Sequence, residues 1–311
     1  METTSVLNHP GFARIKLFFA LSRTTHGLLD MATPALGAML WLGTIPSAAV
    51  ILLGFLTAFA GYTAVYALND VVDYRVDKQK VAQCGFSQSG HDLDTLCVRH
   101  PLAQGLLSLK EGILWTVAWG MIALLGAYTL NPSCAYIFIA GCVAEAIYCL
   151  LLQVSYLRTV VSGAVKTAGG MAAVYAVTPD PSVLFLIFLF LWLFSWEIGG
   201  QNVPNDWADM KEDRELDAET IPVRFGPENS ALIIFYSLTV SVLLSLVLYW
   251  VTPARLSSLY LLGAVLTGVF QLLVPAYQLY RTGDTRDASA LFNRASYYPL
   301  TMLVIVLISQ I

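Results

Sequence analysis

The chain is 311 residues long, 57% hydrophobic and only 12% charged, with a formal net charge of −4. Soluble domains carry roughly 25% charged residues, so this composition excludes an ordinary water-soluble domain. The net charge says little about partners, because the charges sit between apolar runs and must be read by side; a nucleic-acid partner is not expected.

In chain order, nine apolar spans are expected, at about 25–45, 47–68, 111–130, 134–157, 161–179, 183–203, 230–252, 256–280 and 290–310. Each approaches or reaches the roughly 20 residues that cross a bilayer as a helix. The predicted fold is all-α: a polytopic membrane helical bundle of about nine transmembrane helices, with residues 1–311 as one domain. No cleavable signal peptide is expected at the start. Lys and Arg fall on alternate gaps. Arg14, Lys16 and Arg23 precede the first span, Arg75, Lys78, Lys80, Arg99 and Lys110 follow the second, and Arg158 follows the fourth. Lys211, Arg214 and Arg224 follow the sixth, and Arg281, Arg286 and Arg294 the eighth, whereas the other gaps offer only Arg255. The positive-inside rule then places the N-terminus and these gaps in the cytoplasm, with a prokaryotic plasma membrane as the expected location.

Two of these gaps are long, about 70–108 and 205–229, and each opens with the same pattern. The first copy is Asn69, Asp70, Asp73, Arg75 and Asp77; the second is Asn205, Asp206, Asp209, Lys211 and Asp213. On a helix continuing out of the membrane, Asn69, Asp73 and Asp77 share one face, as do Asn205, Asp209 and Asp213. A lone acidic stripe is usually a solvated helix face. Two at one membrane level instead point to a paired metal site, with Asn69, Asp70, Asp73, Asp77, Asn205, Asp206, Asp209 and Asp213 as ligands. Mg²⁺ suits such oxygens and typically bridges one or two carboxylates to phosphate, so two Mg²⁺ ions holding a diphosphate are expected. Arg75, Lys211, Arg214 and Arg224 are candidates for direct phosphate contacts. A diphosphate at the mouth with its body among apolar helices implies a lipid-like substrate, and an allylic prenyl diphosphate fits. Its C–O bond ionises to a delocalised cation that an apolar cavity shields from water.

These residues resemble the UbiA superfamily of intramembrane prenyltransferases. The segment NDVVDYRVD matches the family's first motif and NDWADMKED its second. Arg99-His100-Pro101-Leu102 with Gly105 resembles its R-P-L-x-x-G segment with a His added, and Thr220–Gly226 resembles its T-x-P-V-x-x-G turn. Arg23 stands where family members carry an Arg. The resemblance implies a central cavity, Mg²⁺ dependence, and prenyl transfer from a polyprenyl diphosphate to a small, often aromatic, acceptor. It adds Arg23, Arg99, Tyr156 and Arg158 to the diphosphate candidates. The chain departs from the family at Tyr156 and Arg158, where the spacing of its Tyr-x-x-x-Lys differs, and at Glu219, where a Lys is usual. The segment 81–98 is also longer, a lid or a surface elaboration.

Asp30, Glu145, Lys166 and Glu197 fall in or near apolar spans, where a charge costs about 2.5 kcal/mol or more without a partner. Glu145 and Lys166 are expected to pair, and Lys166 and Glu197 are the candidates for orienting or deprotonating the acceptor, with Asp73 and Asp209 as the central catalytic acids. A paired interhelical contact is the alternative for each. Pro204 is expected to break its helix and turn Asn205 and Asp209 inward. His26 is a candidate base or an interface residue, and Trp192, Trp196 and Tyr156 are candidate cation shields. Cys134, Cys142 and Cys149 read as core residues, whereas Cys84 and Cys97 with His91 and His100 match no common zinc spacing. The competing functions are prenylation of an oxygen acceptor, terpene cyclisation and, in a different class, a membrane cation or solute carrier.

Overall fold

The computed structural model describes residues 10–84 and 98–310, and they contain helices and no strands. At the N-terminal end come α1 (Pro10–Leu21), α2 (Thr24–Asp30), α3 (Ala32–Leu42), α4 (Ala48–Val72) and α5 (Tyr74–Cys84). The middle holds α6 (Leu109–Leu130), α7 (Pro132–Leu150), α8 (Arg158–Val177), α9 (Val183–Ala208) and α10 (Met210–Glu215). The chain closes with α11 (Ile221–Val251), α12 (Leu259–Thr282) and α13 (Thr285–Ser309).

Eight of the described helices are long and apolar enough to cross a membrane, one fewer than expected. The first expected span is divided into α2 and α3. Pro34 lies in the first turn of α3 and has no N–H to give the Asp30 carbonyl, so the helix stops at Asp30 and restarts. Several long helices begin on polar caps. Ser47 Oγ accepts from the Val50 amide at 3.4 Å, and Ser108 and Glu111 form a reciprocal capping box at the head of α6. Asn131 caps α7 ahead of Pro132, whose missing N–H costs nothing at a first helical position.

Pro204 does not break its helix. A π-helical turn, Glu197–Asn202, precedes it and absorbs the missing backbone hydrogen bond, while the Gly200 carbonyl accepts from the Gln201 side chain at 3.2 Å. The same device recurs at Gly268–Leu273 before Pro275 in α12.

Packing pairs α4 with α6, α7 with α8, α3 with α8, and α9 with α11. The α3–α8 crossing is close because both sides are glycine. A Cβ on Gly37 would meet the Gly170 carbonyl oxygen at 2.7 Å. The largest fully buried side chains, Trp192, Trp196, Trp207, Tyr260 and Tyr298, belong to α9, α12 and α13 and form the dense side of the bundle. The α4, α6 and α7 side keeps Leu52, Phe55, Leu114, Leu125 and Tyr136 exposed, the surface a helix turns towards lipid. Between the two sides lies the cavity.

Candidate active site

One cavity of about 830 Å³ runs through the bundle, at the upper end of the roughly 300–1,000 Å³ common for small-molecule pockets. Ala35, Ala58, Val65, Phe138, Ala172 and Leu303 supply apolar lining. One end is polar and receives both acidic stripes. Asn69, Asp70, Asp73 and Asp77 come from the α4–α5 junction, and Asn205, Asp206, Asp209 and Asp213 from the α9–α10 junction, all facing the same space.

The two junctions share a backbone device. Each helix is interrupted at the central aspartate: Asp73 has φ −79°, ψ 0° and Asp209 has φ −93°, ψ 5°. These values approach the bridge region that active-site residues often occupy. The helices therefore do not run straight out of the membrane. They turn at the second acid of each motif, which lets residues on both sides of the break line one cavity.

Side chains from elsewhere tie the acids down. Asn69 donates to Glu145 Oε1 at 2.8 Å, and its own Oδ1 accepts from Arg23 at 3.4 Å. Arg23 also stands 3.6 Å from Asp70. Asp209 lies 3.0 Å from the Arg99 guanidinium and 3.4 Å from Lys80 Nζ, and Lys80 also reaches Glu212 at 2.9 Å. Arg158 lies 3.4 Å from Asp206, with its guanidinium 4.1 Å above the Tyr148 ring. Asp213 accepts from Thr220 Oγ1 at 3.2 Å, so the Thr220–Gly226 turn is the backstop of the second stripe. Gly226, at a kink inside α11, has φ +77° and Gly105 φ +71°, positive values that explain the glycine in both motifs.

The charges are out of balance. Burial pushes the Asp73 carboxyl up to about 6, and Asp77 adds to it. Asp213 is pushed up to about 7 by burial and then by Asp206. Burial would also raise Asp209, but Lys80 and Arg99 outweigh it and hold the group at about 2. His100 is the reverse case: burial would lower it, and Asp70 and Asp77 bring it to about 9. Asp70 Oδ1 and Asp206 Oδ2 are buried with no hydrogen-bond partner among the described residues. An oxygen-rich donor set with surplus negative charge and orphaned carboxylate oxygens fits a divalent cation.

Below the acids lies a second polar layer. Lys166 Nζ donates to Asp30 Oδ2 at 2.6 Å and to the Tyr66 hydroxyl at 3.0 Å, and that hydroxyl itself donates to Asp30. His26 Nε2 stands 3.7 Å from the other Asp30 oxygen. Glu197, on the π-helical turn, accepts from Ser162 Oγ at 2.8 Å through Oε1, whereas its Oε2 has no hydrogen-bond partner among the described residues. The expected Glu145–Lys166 pair does not form: Asp30 is nearer to Lys166, and Asn69 engages Glu145.

Five of the expected diphosphate residues lie away from the cavity. Arg75 and Lys211 are exposed, each two positions beyond the central acid and so nearly opposite it around a helix. Arg214 is exposed and lies against Met210; Arg224 is exposed and stands 3.9 Å from Glu219. Tyr156 is exposed and packs edge-on against Phe225. Arg23, Arg99 and Arg158 do face the cavity, with Lys80 and His100 beside them. Lys80 lies three residues after Asp77, on the same face, a spacing that marks it in the sequence. Trp192 and Trp196 do not reach the cavity either. Their indoles bond to the Tyr298 hydroxyl at 3.2 Å and the Ala295 carbonyl at 3.0 Å, and Tyr62, Tyr66 and Phe292 line the cavity instead. His91, Cys97 and most of the 81–98 segment lie outside the described residues, while Cys134, Cys142 and Cys149 are free thiols.

Comparison with known proteins bears on the family and the fold. Residues 31–297 match the model of the UbiA prenyltransferase family. A digeranylgeranylglyceryl phosphate synthase of Thermococcus sibiricus is 25% identical over 70% of this chain and 72% of its own. A protoheme IX farnesyltransferase of Ruthia magnifica is 25% identical over 81% of each chain. The structure of a UbiA homologue from Archaeoglobus fulgidus bound to DMAPP and Mg²⁺ superposes with a TM-score of 0.68 at 14% identity, over 94% of this chain and 99% of the other.

Proposed function

The chain belongs to the UbiA prenyltransferase family, and from that premise we propose that it transfers a prenyl group from a polyprenyl diphosphate to a small hydroxyl-bearing acceptor, aromatic in the first instance. The observation that carries this is the convergence of both acidic stripes on the polar end of one otherwise apolar cavity. Asn69, Asp70, Asp73 and Asp77 would hold one Mg²⁺, and Asn205, Asp206, Asp209 and Asp213 a second. Bound there, the metal neutralises the diphosphate and makes it a better leaving group. Family membership also argues against the carrier alternative.

The residues of the chain do the rest. Lys80, Arg99, Arg158 and Arg23, which pair with the acids, turn to the diphosphate oxygens when it arrives. The C–O bond of the prenyl diphosphate breaks, with both electrons leaving on the diphosphate. Apolar lining with Tyr62, Tyr66 and Phe292 keeps water from the allylic cation. The acceptor occupies the lower polar layer. Tyr66 is one helical turn, about 5.4 Å, below Asp70 and lines the cavity, so its ring would stand near the carbon that leaves the diphosphate. The Asp30–Lys166–Tyr66 network orients the acceptor hydroxyl. An acceptor carbon attacks, and its proton passes to Glu197 Oε2. Lys166 is already matched by Asp30, so among the described residues the layer offers no Lys or Arg left over for an anionic acceptor group. A neutral aromatic hydroxyl therefore suits it better than the glyceryl phosphate or protoheme in the names of the relatives. The Lys and Arg distribution supports a cytoplasmic position for the motif end, in a prokaryotic plasma membrane.

The test is a panel of neutral phenolic, glyceryl phosphate and porphyrin acceptors crossed with prenyl diphosphates of several lengths, reading prenylated product. Glu197→Gln should lower turnover about 10²-fold or more with little change in prenyl diphosphate affinity, as for loss of a proton acceptor. Product with only an anionic acceptor, or a Glu197→Gln variant of full activity, would overturn the acceptor assignment.

A further inference from the structure

One residue at the first acidic stripe is a nitrogen donor. His100 Nδ1 lies 2.9 Å from Asp77 Oδ2 and 3.4 Å from Asp70 Oδ1. The ligand atoms of the three side chains lie within 4.8 Å of one another. Asp70 is 3% exposed, and neither its Oδ1 nor His100 Nδ1 has a hydrogen-bond partner among the described residues, although both point into the same small space. The contact is close in distance yet badly aligned, as between two ligands converging on one point.

The backbone supports this reading. His100 has φ +48°, in the left-handed region. For a residue with a Cβ that conformation costs roughly 1–2 kcal/mol and persists only where the surroundings impose it. Here Pro101 follows, the Gln104 amide donates to the His100 carbonyl at 3.1 Å, and the Gln104 side chain donates to the Arg99 carbonyl at 2.6 Å. The turn sends Arg99 to the second stripe and His100 to the first.

We propose that His100 Nδ1 is a metal ligand, forming with Asp70 and Asp77 a mixed nitrogen–oxygen site that favours a first-row transition ion over Mg²⁺, Mn²⁺ modestly and the borderline Co²⁺ more strongly. Mg²⁺ is a hard ion that takes oxygen ligands and keeps much of its water, whereas later divalent ions accept imidazole. Ligation uses the neutral imidazole, so the ion displaces the Nδ1 proton to solvent. The second stripe has no such nitrogen among the described residues, which makes the two halves of the clamp chemically unequal. This inference rests on the reading that Asp70 and Asp77 face a divalent cation.

The experiment is pulsed electron paramagnetic resonance of the full-length protein in detergent with Mn²⁺ alone, unlabelled and with ¹⁵N-histidine, beside His100→Asn. Asparagine tolerates the left-handed backbone and offers an oxygen in place of the imidazole. Unlabelled protein should show ¹⁴N modulation that changes to ¹⁵N on labelling and disappears in His100→Asn. Titration should show Mn²⁺ affinity falling about tenfold or more in that variant and Mg²⁺ affinity changing by less than about threefold. Bound Mn²⁺ without nitrogen modulation would overturn the role of His100 and leave the acidic clamp standing. Mn²⁺ that stays free in solution would overturn both.

Discussion

The Lys166–Asp30 pair gives the sharpest stability prediction. Asp30 is 1% exposed and the Lys166 side chain 15%, and they meet at 2.6 Å. Lys166→Met removes the cation and leaves the carboxylate. Removing one partner of a buried pair typically costs about 3–5 kcal/mol, because the other charge stays buried and uncompensated. The Tyr66 hydroxyl still donates to Asp30, so the lower end, about 3 kcal/mol, is expected. Adding Asp30→Asn removes the stranded charge while keeping the shape. The double variant should then lie within about 1 kcal/mol of the parent, about 2 kcal/mol better than Lys166→Met, so the coupling between these two residues, 136 apart in sequence, is about 2 kcal/mol plus the cost of Asp30→Asn alone. The assay is reversible unfolding in mixed micelles of mild detergent and SDS, run on the parent, both single variants and the double. A Lys166→Met variant that loses less than about 1 kcal/mol, or a double variant no better than Lys166→Met, would refute the pairing.

Three further outcomes follow from the site. The raised acids make the metal-free protein sensitive to alkali. Asp73 at about 6 and Asp213 at about 7 bind protons more tightly folded than unfolded, so their contribution is fully present below about pH 4 and is lost as pH rises through 6–7. Melting temperature in EDTA should fall across that window, and Mg²⁺ with a non-hydrolysable prenyl diphosphate analogue should restore it at pH 7.5; an unchanged melting temperature would contradict the charge imbalance. Asp209, depressed to about 2 by Lys80 and Arg99, works in the opposite sense: its contribution is present above about pH 4 and lost as pH falls towards 2, and Arg99→Gln should weaken that loss. Gly226→Ala, forced to φ +77° and ψ 170°, should cost about 1–3 kcal/mol and loosen Thr220 from Asp213, seen as lower thermal stability and a higher KM for the prenyl diphosphate.

Much of this site is legible in the sequence because helical periodicity projects it. The four-residue steps Asn69–Asp73–Asp77 and Asn205–Asp209–Asp213 predict two oxygen-rich faces, and both line the cavity. Three residues beyond Asp77, still on that helix face, stands Lys80. Where adjacency replaces periodicity the reading fails: Arg75 and Lys211 stand beside acids in sequence yet on another side of the helix. The backbone turns at Asp73 and Asp209 carry no proline or glycine to announce them. Hydropathy likewise sees one span over 25–45, while Pro34 carries the signal that divides it. Asp30 with Lys166, and Asp70 with His100, are tertiary meetings that single-sequence spacing does not encode.

The most direct test of the account is diphosphate release from a labelled prenyl diphosphate by purified protein with Mg²⁺ and acceptor. The parent should release diphosphate in step with prenylated product, whereas Asp73→Ala and Asp209→Ala, each folded by the unfolding assay, should release none above background. Undiminished release by both variants would contradict the two-stripe clamp.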